Sequence, residues 1–360
     1  MFLQNINKKT VLLSPLDWGL GHTTRCISII RILLDTDVSV IVACNEKQKL
    51  LLKQEFPQIK FISLQGYEIT YSKSPLLFAI VLLFQLPKIL FRIAKEHRWL
   101  QKTIDQFNID VVISDNRYGL YTKKVPCIII THQLNIKAPF AWQEYLLQEI
   151  NYNYINRFSH CWVPDFEGEK NIAGVLSHPK KLPAIPVHYI GVLARFKKEA
   201  TSKIKYQFCI LLSGPEPQRT MLENILLQQL PFVSANCLLV RGKMDAKSID
   251  VDLPNVTIKN HLRGIELNAS IQASEFIITR SGYTSVMELL NLQKRMILIP
   301  TPGQTEQEYL AKQLMQQQWA WCIDQKDFNL MDSLKHASNF TYQLPDISTE
   351  LLGSIIQQYI

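Results

Sequence analysis

The chain has 360 residues, 47% of them hydrophobic and 19% charged, with 39 basic against 31 acidic side chains for a net charge of +8. That composition excludes a disordered chain and is comfortable for two domains. The positive balance suits an anionic partner such as a nucleotide sugar or an acidic lipid surface. No RNA-binding signature or nucleic-acid finger motif is present, so nucleic acid is not an expected partner. Seven cysteines (Cys26, Cys44, Cys127, Cys161, Cys209, Cys237, Cys322) are scattered without a C-x-x-C pair. They read as buried free thiols of a cytoplasmic protein and not as a zinc site, and no metal or cofactor is expected. Met1 leads through Lys8-Lys9 into an apolar run with no signal-peptide pattern.

In chain order, Val11 to Leu13 is a predicted strand, followed by a glycine-containing loop and a helix from about Thr23 to Leu34. Val38 to Ala43 is the next strand, Lys47 to Gln54 a helix, and Lys60 to Leu64 a short strand. Val111 to Ile113 and Cys127 to Ile130 are further strands. After a Pro-rich stretch, Pro179 to Pro186, the pattern restarts with a strand at Phe208 to Leu212, a helix at Met221 to Leu230 and a strand at Cys237 to Val240. Strands at Val256 to Ile258, Glu275 to Thr279 and Met296 to Ile299 follow. Short apolar strands alternating with helices predict parallel sheets covered on both faces. The fold class is therefore α/β, with two doubly wound Rossmann-like domains, residues 1–190 and 191–360, joined near 185–203. In such sheets ligands lie beyond the carboxyl ends of the strands, so the expected site is a cleft between the domains. Trp99, Trp142, Trp162, Trp319 and Trp321 form no stacking ladder and are expected to pack.

Three loops carry chemistry. Arg280-Ser281-Gly282 opens a turn between the strand at 275–279 and a helical pattern from Val286 to Leu292, with Glu288 about one turn into that helix. Unpaired N–H groups and the positive end of a helix dipole suit a diphosphate, and a carboxylate there can accept both hydroxyls of a ribose; an ordinary strand-to-helix turn is the alternative. Gly19-Leu20-Gly21-His22-Thr23-Thr24-Arg25-Cys26 follows the first strand. Thr24 stands where the dinucleotide fingerprint requires Gly or Ala. Gly19 and Gly21 permit close backbone approach, and His22 at the helix mouth is either a general base or a helix cap. Asp115, after the strand at 111–113, can orient His22, bind an acceptor or satisfy loop backbone. His132 carries the same alternatives.

Pro75 to Pro87 contains no charge, and Lys88, Arg92, Lys95, Arg98 and Lys102 then recur at helical spacing. The run is too short to span a bilayer. It reads as a reversible membrane-docking element over 75–102, or as a buried helix with a solvated basic edge.

These motifs together resemble family 28 of the GT-B glycosyltransferases, the MurG-like UDP-GlcNAc transferases. The G-x-G-H loop at 19–22 matches the family's N-terminal glycine loop, and Arg280 through Glu288 matches its donor signature. Pro300-Thr301-Pro302-Gly303, Gln304, Glu306-Gln307 and Ala311 resemble the segment that follows it, and Thr131-His132-Gln133 resembles the H-E-Q acceptor segment. The resemblance implies a UDP-sugar donor, N-acetylglucosamine as the expected sugar, inversion, and a saccharide or lipid-linked acceptor. It implies His22 and Asp115 as catalytic residues and Gly19, Gly21, Asn116, His132 and Gln133 on the acceptor side. On the donor side it implies Ser213, Gly214, Arg219, Arg280, Ser281, Gly282, Thr284, Glu288, Gln304, Glu306 and Gln307. Arg219 and Arg280 are candidates to meet the leaving diphosphate, with a surface salt bridge the alternative for Arg219. The second glycine loop departs from the family at Pro215 and Pro217, Gly191-Val192-Leu193 replaces Gly-Asn-Pro, and Leu310 replaces an Asn, all marking a divergent member. The expected location is the cytoplasm, peripherally on the inner face of the membrane. A UDP-sugar hydrolase of nonulosonic-acid type, which shares the G-x-G-H-x-x-R-C spacing, is the second reading, and a non-catalytic docking subunit the third.

Overall fold

The computed structural model describes residues 8–68, 75–138, 140–199, 203–243, 247, 253–347 and 351–360, with the backbone alone over 75–83. The described residues of 8–68, 83–195 and 351–360 form one compact unit and those of 75–82 and 196–347 the other.

The first unit runs β1 (Thr10–Pro15), α1 (Leu20–Asp35), β2 (Ser39–Cys44), α2 (Glu46–Glu55), β3 (Lys60–Ser63), α3 (Pro75–Phe107, of which this unit holds residues 83 onward), β4 (Val111–Asp115), β5 (Cys127–Ile130), α4 (Ala141–Ile155), β6 (His160–Val163) and β7 (Val187–Tyr189). Its sheet is parallel, in the order β3-β2-β1-β4-β5-β6-β7. Val11, Leu12 and Leu13 are fully buried, as a central strand covered on both faces requires. The chain leaves β1 for β2 and β3 on one side and returns at β4 on the other, so the switch point lies between β1 and β4. A capping box starts α2: Asn45 accepts from Gln48 N at 3.0 Å, and Gln48 Oε1 accepts from Asn45 N at 3.1 Å. The same Gln48 side chain donates to the Leu16 carbonyl at 2.9 Å, which ties the loop after β1 to α2.

The second unit runs β8 (Tyr206–Leu211), α5 (Gln218–Gln229), β9 (Cys237–Val240), β10 (Val256–Lys259), α6 (Gly264–Gln272), β11 (Ser274–Thr279), α7 (Tyr283–Asn291), β12 (Arg295–Leu298), α8 (Thr305–Gln316), β13 (Ala320–Cys322) and α9 (Leu330–Asn339). Its sheet is also parallel, in the order β10-β9-β8-β11-β12-β13, with the switch point between β8 and β11. The last helix, α10 (Leu351–Tyr359), belongs with the first unit. Leu352 and Ile356 bury its apolar face, Lys9 Nζ donates to the Ile360 carbonyl at 2.7 Å, and the Tyr359 ring centroid lies 4.6 Å from that of His160. Sequence order alone had placed this segment with the C-terminal domain; apolar burial decides otherwise.

Several expectations change. The first helix begins at Leu20, so Gly21 and His22 lie within it. The strands β6, β7 and β13, three or four residues long, carry too little pattern to be read from the sequence. Trp142 does not pack; it is 64% exposed. The apolar run and the basic stripe are one helix, α3, with Pro87 inside it, and the side chains of the run over 75–83 lie outside the described residues. The stripe is not simply solvated: Lys88 Nζ donates to the Glu68 carbonyl at 2.8 Å, and Arg92 pairs with the Glu68 carboxylate at 3.1 Å.

One turn on from Arg92, Glu96 is buried and pairs with Arg117 at 2.5 Å, while accepting from Tyr67 Oη at 2.8 Å. Arg117 also donates to the carbonyls of Gln65 at 2.7 Å and Pro15 at 3.3 Å. Removing one partner of a buried pair leaves an uncompensated charge, whereas removing both does not. Arg117→Met is expected to lower unfolding free energy in urea by ~3–5 kcal/mol. The Arg117→Met, Glu96→Leu double variant is expected to recover most of that loss. A single variant as stable as the parent would overturn this account.

Candidate active site

In the first unit the site forms at the β1/β4 switch point. Pro15 and Asp115 are register partners at the ends of the two strands, and Leu16 N donates to the Asp115 carbonyl at 3.0 Å. Gly19 has φ +94°, a left-handed conformation that glycine adopts without strain, and it starts α1. His22, Arg25 and Cys26 stand at i, i+3 and i+4 on one face of that helix, and all three reach the fully buried Asp115. His22 Nδ1 lies 3.0 Å from Asp115 Oδ2, Arg25 Nε donates to the same oxygen at 3.0 Å, Arg25 Nη2 pairs with Oδ1, and Cys26 Sγ is 3.7 Å from Oδ2. The His22 side chain keeps 16% of its surface exposed.

The charge states follow. Burial alone would raise the Asp115 carboxyl, but Arg25 and then His22, by charge and hydrogen bond, outweigh it and hold the group down at about 2. An ionised Asp115 only accepts, so His22 Nδ1 carries the proton and Nε2 carries the lone pair. Burial lowers the His22 imidazolium below its usual range; Asp115 opposes the shift and Arg25 reinforces it. Burial, then Asp115, pushes the Cys26 thiol far up, so it stays neutral. The arrangement holds a neutral imidazole with a basic nitrogen and a fixed anion behind it, as a general base requires.

Of the remaining residues expected on the acceptor side, Asn116 has φ +59° and a buried Oδ1 without a hydrogen-bond partner, and its N–H donates to the Ile130 carbonyl at 3.0 Å. His132 is buried with Nδ1 3.5 Å from Arg25 Nη1, so it joins the same cluster. Gln133 is held by its backbone: its N–H donates to Thr131 Oγ1 at 3.1 Å, and its carbonyl accepts from Asn151 at 2.8 Å. Gly21 lies in the first turn of α1, where its carbonyl accepts from Thr24 Oγ1 at 3.0 Å.

In the second unit the loops after β8, β11 and β12, three neighbouring strands, come together around Arg280. This buried guanidinium donates to the carbonyls of Gln218 (2.9 Å), Ile299 (3.2 Å) and Pro300 (3.1 Å) and to Gln325 Oε1 (2.6 Å), all neutral acceptors. Burial lowers it to about 10, so it remains charged at neutral pH, and its Nε is buried without a partner. Above it, Gly282 starts α7 without a side-chain cap, leaving the first N–H groups to backbone or ligand. Thr284 and Glu288 follow in that helix, Glu288 one and a half turns in and buried. Ser281 Oγ donates to the Gln307 carbonyl at 2.8 Å, which joins the loop before α7 to the start of α8, where Gln307 donates to Gln304 Oε1 at 2.5 Å. Glu306 stands in the first turn of α8. Ser213 and Gly214 (φ +98°) lead from β8 toward α5.

Arg219 does not join this group. It is buried, and it spends its donors on Glu216 (2.7 Å), Glu223 (3.1 Å), Thr220 (2.5 Å) and the Arg241 carbonyl (3.1 Å). Its donors are thus spent on protein acceptors, the buried Glu223 and the exposed Glu216 among them. Arg25 is the residue that sequence reasoning left without a role. Its signal was the i, i+3 spacing from His22, which places both on one helix face.

Residues 219–344 match the glycosyltransferase family 28 C-terminal domain. An uncharacterized glycosyltransferase of Methanosarcina acetivorans is 24% identical over 314 residues, covering 81% of this chain and 79% of its own length. Among solved structures, MurG of Acinetobacter baumannii superposes with a TM-score of 0.59 at 15% identity, over 98% of this chain and 99% of its own. The glycosyltransferase of kitacinnamycin gives 0.66 at 12% identity, over 98% and 95%. Phytolacca americana UGT2, complexed with UDP-2-fluoro-glucose and pterostilbene, gives 0.62 at 12% identity, over 98% and 99%. Fold and domain together define a GT-B glycosyltransferase. Within that class, residues 219–344 carry the family 28 C-terminal domain, and the rest of the chain shares the fold.

A histidine whose imidazolium is disfavoured in the fold couples stability to pH. Below its unfolded value of 6.5, the unfolded chain takes up a proton that folded His22 resists, so stability falls as pH drops through that value. His22→Gln removes this term. Urea unfolding between pH 7.5 and 5 is expected to show a shallower loss of stability in the variant than in the parent; identical slopes would contradict the assignment.

Proposed function

We propose that the protein transfers a sugar, N-acetylglucosamine as first candidate, from a UDP-sugar to a lipid-linked or cell-envelope glycan acceptor with inversion, His22 acting as general base. The observation that carries this reading is the 3.0 Å His22–Asp115 contact at the β1/β4 switch point of a chain with a family 28 domain. An acceptor hydroxyl gives its proton to His22 Nε2 as its oxygen bonds to the anomeric carbon. The bond from that carbon to the diphosphate oxygen breaks, and UDP leaves with the electron pair. Asp115 stabilises the imidazolium that forms. The uncapped N-terminus of α7 is suited to the diphosphate, and Glu288 to the ribose hydroxyls, with no metal invoked. The G-x-G-H-x-x-R-C spacing keeps hydrolysis as a second reading, in which water gives up the proton instead.

The test is UDP release from a panel of UDP-sugars, with and without membrane extract. His22→Ala is expected to lower turnover ~10²–10⁴-fold with UDP affinity unchanged. Glu288→Ala is expected to weaken UDP binding by about 1.5–3 kcal/mol. Near-normal turnover in folded His22→Ala would exclude it as the base, and release of free sugar in the presence of acceptor would favour hydrolysis.

We further propose reversible docking on an anionic membrane through α3, with α4 beside it. Among the described residues no helix is long and apolar enough to cross a bilayer. Phe84, Leu90 and Phe91 of α3 and Phe140, Trp142 and Leu146 around α4 are exposed. The two helices are joined through a small cluster in which Ile89, Ile93, Tyr118 and Tyr154 meet. Basic residues near an anionic leaflet each contribute ~1 kcal/mol. Co-sedimentation with phosphatidylserine-containing vesicles is expected at low salt and to decline as salt rises; no sedimentation at low salt would refute the docking.

A further inference from the structure

A general base backed by an aspartate needs only that pair, yet this chain adds a cation. Arg25 is buried, and it holds Asp115 through Nε at 3.0 Å and through Nη2 on the other oxygen. We propose that Arg25 is a positioning residue for His22: its planar fork locks the Asp115 carboxylate in the plane that presents Oδ2 to His22 Nδ1, and its charge stands beside the imidazole. The proposal rests on the reading of His22 as the base.

Geometry supports both parts. A two-point grip fixes the rotation of a carboxylate, and only a guanidinium supplies two parallel donors at that spacing. Oδ2 is then shared between Arg25 Nε and His22 Nδ1, each at 3.0 Å, with the Cys26 thiol at 3.7 Å. The aspartate charge is therefore divided, and less of it remains to stabilise an imidazolium. The groups facing His22 are Arg25 and Cys26 from α1, Asp115 from β4 and His132 from the segment after β5. Of these, Asp115 alone favours the protonated ring; Arg25 and His132 oppose it, as burial does. His132 meets Arg25 at 3.5 Å, so the guanidinium also links the acceptor-side segment to the base. In chemical terms Arg25 trades some driving force for proton acceptance against having the base neutral at lower pH.

Two variants separate grip from charge. Arg25→Lys keeps the cation and loses the fork; Arg25→Gln loses the cation. The readout that does not depend on any reaction is the titration of the His22 ring nitrogens, followed by ¹⁵N-histidine NMR on the full chain without substrate. With the cation removed, the His22 midpoint is expected to move up by about one pH unit, the scale of a neighbouring charge. In Arg25→Lys the midpoint is expected to stay near the parent's, while the Nδ1-H tautomer, seen in the separate shifts of the two nitrogens, becomes mixed with the other. The acid limb of turnover against pH, measured with the UDP-sugar that the parent consumes, is expected to move with the NMR midpoint. A purely structural Arg25 would lower stability or turnover at every pH and leave both midpoint and tautomer unchanged, and that result overturns the proposal. If the parent consumes no UDP-sugar, the reading of the reaction fails, and the NMR titration still decides the role of Arg25. Should Arg25→Gln not fold, the tautomer populations in Arg25→Lys decide it alone, unchanged populations counting against it.

Discussion

A carboxylate with no exposed surface must be met by charge and hydrogen bonds, and Asp115 imposes that demand at the end of β4. Its answer organises the first unit. The face of α1 turned toward the strand carries Arg25 as counter-charge and His22 as second donor, and that in turn orients the start of α1. The loop between β1 and α1 is then held by Leu16 N on the Asp115 carbonyl and by Gln48 on the Leu16 carbonyl. One buried anion thus sets the tautomer of a histidine and the course of the loop before it.

The second unit meets the inverse demand. Arg280 is a buried cation at the end of β11, and it is met by neutral carbonyls from two segments, the start of α5 and the loop after β12, and by one glutamine amide. Its charge is solvated by dipoles and not cancelled, so a positive potential remains beneath the start of α7. That helix end adds its own partial positive charge. The two switch points thus carry opposite polarities, a buried anion in one unit and a buried cation in the other. Both sit where the strand order reverses, since there the flanking helices diverge and leave the carboxyl ends of two strands uncovered.

Buried charge that is met by carboxylates within the protein is also prominent. Arg219 and Glu223 of α5 form an ion cluster with Arg241 that reaches the surface through Glu216 and Lys243, and Glu96 with Arg117 ties α3 to the end of β1 and the loop after β3. A buried arginine near an expected anion site is therefore weak grounds for assigning it to that anion. What distinguishes Arg280 from Arg219 is the nature of the partners, carbonyl oxygens in one case and carboxylates in the other.

The sequence by itself determined the alternation of strand and helix, the two doubly wound sheets and the two motif loops, because strand burial and glycine placement are local requirements written in short runs. Gly19-Leu20-Gly21-His22 and Arg280-Ser281-Gly282 could be read this way, and both fall at switch points. The tertiary structure alone decided partners. Asp115 lies 93 positions from His22, and no local pattern states that β4 registers beside β1 to bring them together. It alone returned α10 to the first unit, exposed Trp142 and enclosed Arg219, since burial depends on which surfaces meet. The role of Arg25 needed both: helical spacing put it on the face of His22, and only the packed fold put Asp115 under that face.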